Sequence, residues 1–154
     1  MNSTIELRTV PARPALLVHA QCPMSAIGAT LGPIFGEVAA WAGAHHVPLA
    51  GPAVARYVKM DAGGCELDAG FLVSAAPSEP DPRVRATDLG GCTAVCATHI
   101  GPYDTVARTY EAIQTWMRAN GWVAAGPMWE EYFSPPDTPP AEIRTDVYCP
   151  VRKG

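Results

Sequence analysis

The strongest constraint on how this 154-residue chain folds is that it repeats itself. Displaced by 75 residues, Trp41 falls on Trp116, Gly51-Pro52 on Gly126-Pro127 and Tyr57 on Tyr132. Thr30, Ala44 and Ala50 also meet identical residues in Thr105, Ala119 and Ala125. In an alanine-rich chain the bare count of identities carries little weight. The shared internal spacing of Trp, Gly-Pro and Tyr carries much more. The chain is therefore read as one domain over residues 1–154 built from two copies of a unit, at about 15–76 and 90–151. The proline-rich segment Pro77–Pro82 links them.

Local signals fall into register under the same displacement. In the second copy, Cys92–Ile100 alternates and is β-prone, and Gly101-Pro102 then opens a helix. Val106, Tyr110, Ile113 and Trp116 recur at three- and four-residue steps as one apolar stripe, so Tyr110 and Trp116 are read as core. Asn120-Gly121 stops the helix. Met128–Phe133 and Ile143–Val151 are strands around the loop Pro135–Pro140. In the first copy the strands are Ala15–Gln21, Ala53–Lys59 and Glu66–Ala75, and the helical stripe runs from Ile27 to Trp41. Gly28, Gly32, Pro33 and Gly36 oppose a helix interior, so that helix is expected to start or kink at Pro33. Ile5–Val10 adds a further strand. Two β-α-β-β units imply an α+β fold with pseudo-two-fold symmetry. An antiparallel curved sheet would carry both helices on one face and a ligand cleft on the other.

Composition narrows the function classes. The net charge of −4 and the scattering of 11 basic residues argue against direct nucleic-acid binding. No basic segment followed by an apolar run marks a signal peptide, and the apolar stretch Ser25–Leu49 is too rich in Gly and Pro to cross a membrane. Five cysteines without a Cys-x-x-Cys pattern favour a reducing, cytoplasmic setting over a disulfide framework. Cys92, Cys96 and His99 lie in one strand with no matching pair nearby, so they read as buried strand residues, with no metal expected. His45-His46 reads as charge complementing a helix C-terminus.

Three stretches stand out: His99-Ile100-Gly101-Pro102-Tyr103, Gly126-Pro127-Met128-Trp129-Glu130-Glu131-Tyr132, and Arg144-Thr145-Asp146-Val147-Tyr148-Cys149-Pro150-Val151. In that order and spacing they resemble the GyrI-like family, which includes the effector-binding domains of bacterial multidrug-responsive regulators. Asp146 stands where that pattern usually has Glu, and the bulky Trp129 flanks the central acid. The resemblance implies two β-α-β-β repeats and a cleft for bulky aromatic or cationic compounds, and it maps the family's central acid onto Glu130.

Strand alternation places Met128, Glu130 and Tyr132 on one face, and Trp129, Glu131 and Phe133 on the other, assigned to the helices. In the first copy Ala55 and Tyr57 take the places of Glu130 and Tyr132. The cleft would then hold a carboxylate among aromatics, costly to bury alone and offset by a cation lying on aromatic faces. The candidate ligand contacts are Glu130, Tyr57, Tyr132, Tyr103, Trp129 and Tyr148. Tyr57 and Tyr132 read equally as packing residues of a duplicated fold, Tyr103 as a staple on the first helical turn, and Tyr148 as facing either side. Glu131, on the face given to the core, would pair with its repeat mate Arg56 or sit at a sheet edge.

The leading functional expectation is a stand-alone module that senses or sequesters small lipophilic, cationic or aromatic compounds. It would need no cofactor and no membrane, and its protein partner is open. The resemblance also implies an enzymatic alternative, since some GyrI-like proteins are cyclopropanoid hydrolases. In that case Glu130 would activate water and Tyr132 or Tyr57 would stabilise the developing charge. A haem-carrying relative of the SOUL fold is the third reading, and it requires an axial ligand.

Overall fold

The computed structural model describes residues 5–78, 81–135 and 137–154. Residues 1–4, at which no signal peptide is expected, lie outside that description, as do residues 79–80 and 136 of the two proline-rich segments. The described chain forms nine strands and two α-helices: β1 (Glu6–Val10), β2 (Arg13–Cys22), α1 (Ile27–Ala44), β3 (Leu49–Asp61), β4 (Gly64–Val73), β5 (Arg85–Leu89), β6 (Cys92–Ile100), α2 (Val106–Asn120), β7 (Trp122–Ala124), β8 (Met128–Tyr132) and β9 (Arg144–Lys153). Short 3-10 turns, Met24–Ala26 and Tyr103–Thr105, precede the two helices. No helix among the described residues is long and apolar enough to cross a membrane.

The chain divides into two compact units. Unit 1 comprises the residues up to Val10 together with Cys92–Gly154, and unit 2 comprises Pro11–Gly91. In unit 1 the antiparallel order is β1-β6-β9-β8, with β7 added to β9. In unit 2 it is β5-β2-β4-β3. The β-α-β-β order read from the repeat is thus present twice, and the fold class is α+β as expected. The strand preceding each copy does not pair with that copy. β1 joins β6, and β5 joins β2. Neither β5 nor β7 was visible in the sequence pattern.

Each helix is held by its apolar stripe. On α2, Ile113 and Met117 are buried against Val95, Ala97, Val147, Cys149 and Val151, with Val106, Tyr110, Trp116 and Met128 packed around them. Gly121 ends that helix in the left-handed region at φ 76°, where a side chain would be strained. On α1, Leu31, Ile34, Val38 and Ala42 are buried, and Phe35 meets Phe71 of β4 edge-on at 5.9 Å. The helix begins at Ile27 and carries Pro33 inside it, six residues before the expected start. Burial of the stripe outweighs the intrinsic cost of Gly and Pro.

Candidate functional site

The site in unit 1 begins at the turn between β6 and α2. His99 is 2% exposed, at the end of a strand that reads simply as alternating. Its Nε2–H donates to the Pro102 carbonyl oxygen at 3.0 Å and lies 3.1 Å from Thr105 Oγ1. A carbonyl only accepts, so Nε2 carries the hydrogen, and Nδ1 lies 3.0 Å from the Thr109 hydroxyl on α2. Gly101, at φ 135°, lets the chain turn back over that ring. The His-x-Gly-Pro-Tyr run therefore works as a clasp. It fixes the 3-10 turn, and with it Tyr103, against the start of α2.

Glu130, on β8, is 6% exposed. Its Oε1 accepts a hydrogen bond from the Tyr132 hydroxyl at 2.7 Å, and its Oε2 accepts a short one from the Tyr110 hydroxyl. Tyr103 stands edge-on to Tyr132, with ring centres 5.8 Å apart and planes at 79°, and is 48% exposed. Burial raises the Tyr103 phenol above its ordinary pKa, and the nearby Glu130 charge raises it further. The result is a carboxylate beneath a helix, held by two phenols, with a third aromatic ring reaching from it to the surface. The phenol O–H groups satisfy both oxygens of the carboxylate.

The faces are assigned differently from the sequence reading. Met128, Glu130 and Tyr132 do share a face, but it is the one that carries α2, as the Tyr110–Glu130 bond and the packing of Met128 show. The opposite face holds Trp129, Glu131 and Tyr148. Trp129 stacks on Tyr148 at 4.8 Å with planes 5° apart, and its indole N–H donates to Glu131 at 3.0 Å. Alternation tells which residues go together. It does not tell which side the helix takes. Glu131, buried at 1%, thus finds an indole donor on the face away from the helix, and Arg56 pairs with Asp68 at 2.8 Å within unit 2.

Of the six residues singled out from sequence, Glu130, Tyr132 and Tyr103 come together. Trp129 and Tyr148 form a separate buried stack across the sheet. Tyr57, half-buried on β3 opposite Leu67, belongs to unit 2 and lies on the face that carries α1. The residue missed is Tyr110, read from its spacing as core. A phenol in an otherwise apolar stripe was the available signal, because a buried tyrosine hydroxyl needs a partner.

This geometry defines a class, an α+β domain of two similar units, and the comparisons make it specific. The model of the GyrI-like small molecule binding domain matches residues 3–152, and the chain belongs to that family. Among solved structures it is similar to the EcmrR C-terminal domain, with a TM-score of 0.84 and 19% identity over 98% of each chain. It spans 58% of the longer EcmrR chain solved in complex with DNA. A hydrolase encoded by lin2189 from Listeria innocua aligns over 96% of this chain and 91% of its own, at 15% identity and a TM-score of 0.66. SAV2435 bound to tetraphenylphosphonium aligns over 97% of this chain and 94% of its own, at 14% identity and a TM-score of 0.65. A comparison with curated proteins finds no significant sequence match.

Proposed function

We propose that this domain binds small lipophilic cations, sensing or sequestering them in the cytoplasm, with Glu130 as the charge that recognises them. The observation that carries this reading is the pair of phenols on a nearly buried carboxylate, with Tyr103 half-exposed beside it. A carboxylate whose oxygens are satisfied by phenols can sit in an apolar setting, and aromatic rings around it favour a diffuse cation. The similarity in fold to SAV2435 bound to tetraphenylphosphonium supports the same ligand class. In this reading Trp129 and Tyr148 support β8 from behind. The free cysteines fit a reducing compartment.

The hydrolytic alternative uses the same residues, Glu130 as base and Tyr132 as donor, and the fold is shared with a hydrolase. Both carboxylate oxygens already accept phenol hydrogen bonds, which occupies the lone pairs that would take a proton from water and favours charge recognition. Haem ligation has less in its favour, since the buried His99 engages both ring nitrogens in the turn.

The test is a tryptophan-fluorescence titration with tetraphenylphosphonium. Saturable quenching is expected in the native protein. Glu130→Gln should weaken it by about a hundredfold or more, in line with losing one partner of a desolvated charge pair. Unchanged affinity in that variant would remove Glu130 from the site.

A further inference from the structure

Unit 2 carries a cavity of about 560 Å³ on the face of its sheet turned away from α1. Its polar lining is cationic in a chain of net charge −4. Arg56 of β3, Arg85 of β5, Arg83 of the loop before β5 and His19 of β2 all border it. The carboxylate in the lining, among the described residues, is Asp68.

These cations are held in place by carboxylates that offset the charge of Arg56, Arg83 and His19 and leave Arg85 as the cation of the lining with no carboxylate on it among the described residues. Asp68 accepts from Arg56 at 2.8 Å and from His19 at 2.7 Å, and Glu66 holds the other nitrogen of His19 at 3.0 Å. Arg83 is fixed to Glu37 of α1 by both arms of its guanidinium. Its own loop is clipped by Asp81, which accepts the backbone N–H of Arg83 at 2.9 Å, that of Val84 at 2.8 Å and the Trp41 indole at 3.2 Å. Arg85 makes no side-chain bond or ion pair among the described residues and lies in register with Leu17, which gives the cavity an apolar floor. A guanidinium without a partner among the described residues, beside an apolar floor, is suited to a planar or tetrahedral oxyanion, which arginine binds through two parallel N–H bonds. The volume suits a whole small molecule.

We propose that this cavity is a second binding site, independent of Glu130, for a small organic anion bearing a carboxylate or phosphate on an apolar body. Every residue lining it belongs to unit 2, and none takes part in the Glu130 cluster.

Isothermal titration of the full chain with phenyl phosphate, benzoate and inorganic phosphate tests the proposal. At least one organic anion should bind saturably, and Arg85→Ala should weaken it about tenfold, the scale of one charged hydrogen bond. Arg85 is exposed and has no side-chain partner among the described residues, which makes that variant a fair one. Arg85→Lys should retain part of the affinity. Tighter binding of phenyl phosphate assigns a phosphate ester, and tighter binding of benzoate assigns a carboxylate. Binding should persist in Glu130→Gln and alongside tetraphenylphosphonium. The proposal is overturned if neither organic anion saturates at millimolar concentration, if Arg85→Ala binds as the native protein does, if Glu130→Gln loses the anion, or if inorganic phosphate alone binds as tightly.

Discussion

The two units share one scaffold and differ in what they place under the helix. At the 75-residue displacement, Val38 and Ile113 are both buried on the helix stripe, as are Ala42 and Met117. Tyr110 then falls on Phe35, and Glu130 on Ala55. In unit 1 a phenol reaches a carboxylate. In unit 2 a phenyl ring meets Phe71, and a fully buried methyl group stands where the acid would be. The same local frame occurs twice, and the acid and the helical phenol stand in one copy. A buried acid is tolerable only where donors accompany it, so acid and phenol change together.

The sharpest way to break that comparison is to give unit 2 the acid without the helical phenol, leaving Tyr57 in the place of Tyr132. Ala55→Glu should lower folding stability by about 3 kcal/mol or more, the cost of a buried charge that lacks part of its compensation. Equilibrium unfolding in urea reads this directly. The double variant Ala55→Glu, Phe35→Tyr should recover part of the loss, because it restores the phenol present in unit 1. No recovery would mean that the matched positions are not equivalent in the environment they offer.

A smaller effect is expected from removing the donor in unit 1. Tyr110→Phe leaves one Glu130 oxygen without its phenol in a site that is 6% exposed, and should cost about 1–3 kcal/mol. It should also alter tetraphenylphosphonium affinity while leaving the Trp129–Tyr148 stack intact by near-ultraviolet circular dichroism. Phe35→Tyr alone in unit 2 has no carboxylate to meet and should bring no comparable gain. If the two substitutions have equal and opposite effects on stability, the asymmetry between the units is not the carboxylate.

The same contrast shows what the sequence makes legible. The repeat, the strand β6, the Gly121 stop and the helical stripes all follow from periodicity and local turn chemistry, which are properties of neighbours in sequence. The early start of α1 does not, because packing of Leu31 and Ile34 overrides the propensities of Gly28, Gly32 and Pro33. β5 is a five-residue edge strand whose partner β2 lies far away in sequence, so its pairing leaves little local trace. Glu130 and Tyr132 were found by motif, and Tyr110 was missed because a helical stripe reads the same whether or not its aromatic carries a hydroxyl. Which face bears the helix was not legible either. β8 alternates two sets, Met128-Glu130-Tyr132 and Trp129-Glu131, each of which mixes apolar and acidic residues.

The faces away from the helices offer the mildest test. Asp146 of unit 1 and Asp68 of unit 2 occupy matching register positions, opposite Thr98 and His19 respectively. Thr98 donates to Asp146 at 2.9 Å, and His19 bonds Asp68 at 2.7 Å. Only the second contact titrates near neutral pH. The hydrogen bond to Asp68 raises the His19 pKa against the opposing effect of desolvation, and the Asp68 charge and Glu66 add to the rise. A folded-state pKa above the unfolded value means that His19 contributes stability fully below about pH 6.5, and that this is lost as pH rises through the raised value. His19→Thr, which copies unit 1, should therefore lower the melting temperature more at pH 5.5 than at pH 8.5. The His19 side chain is 50% exposed, so the effect belongs with surface ion pairs, below about 1 kcal/mol. A variant whose deficit grows as pH rises would show that Asp68 holds His19 in its neutral form, and that the two outer faces are alike in charge after all.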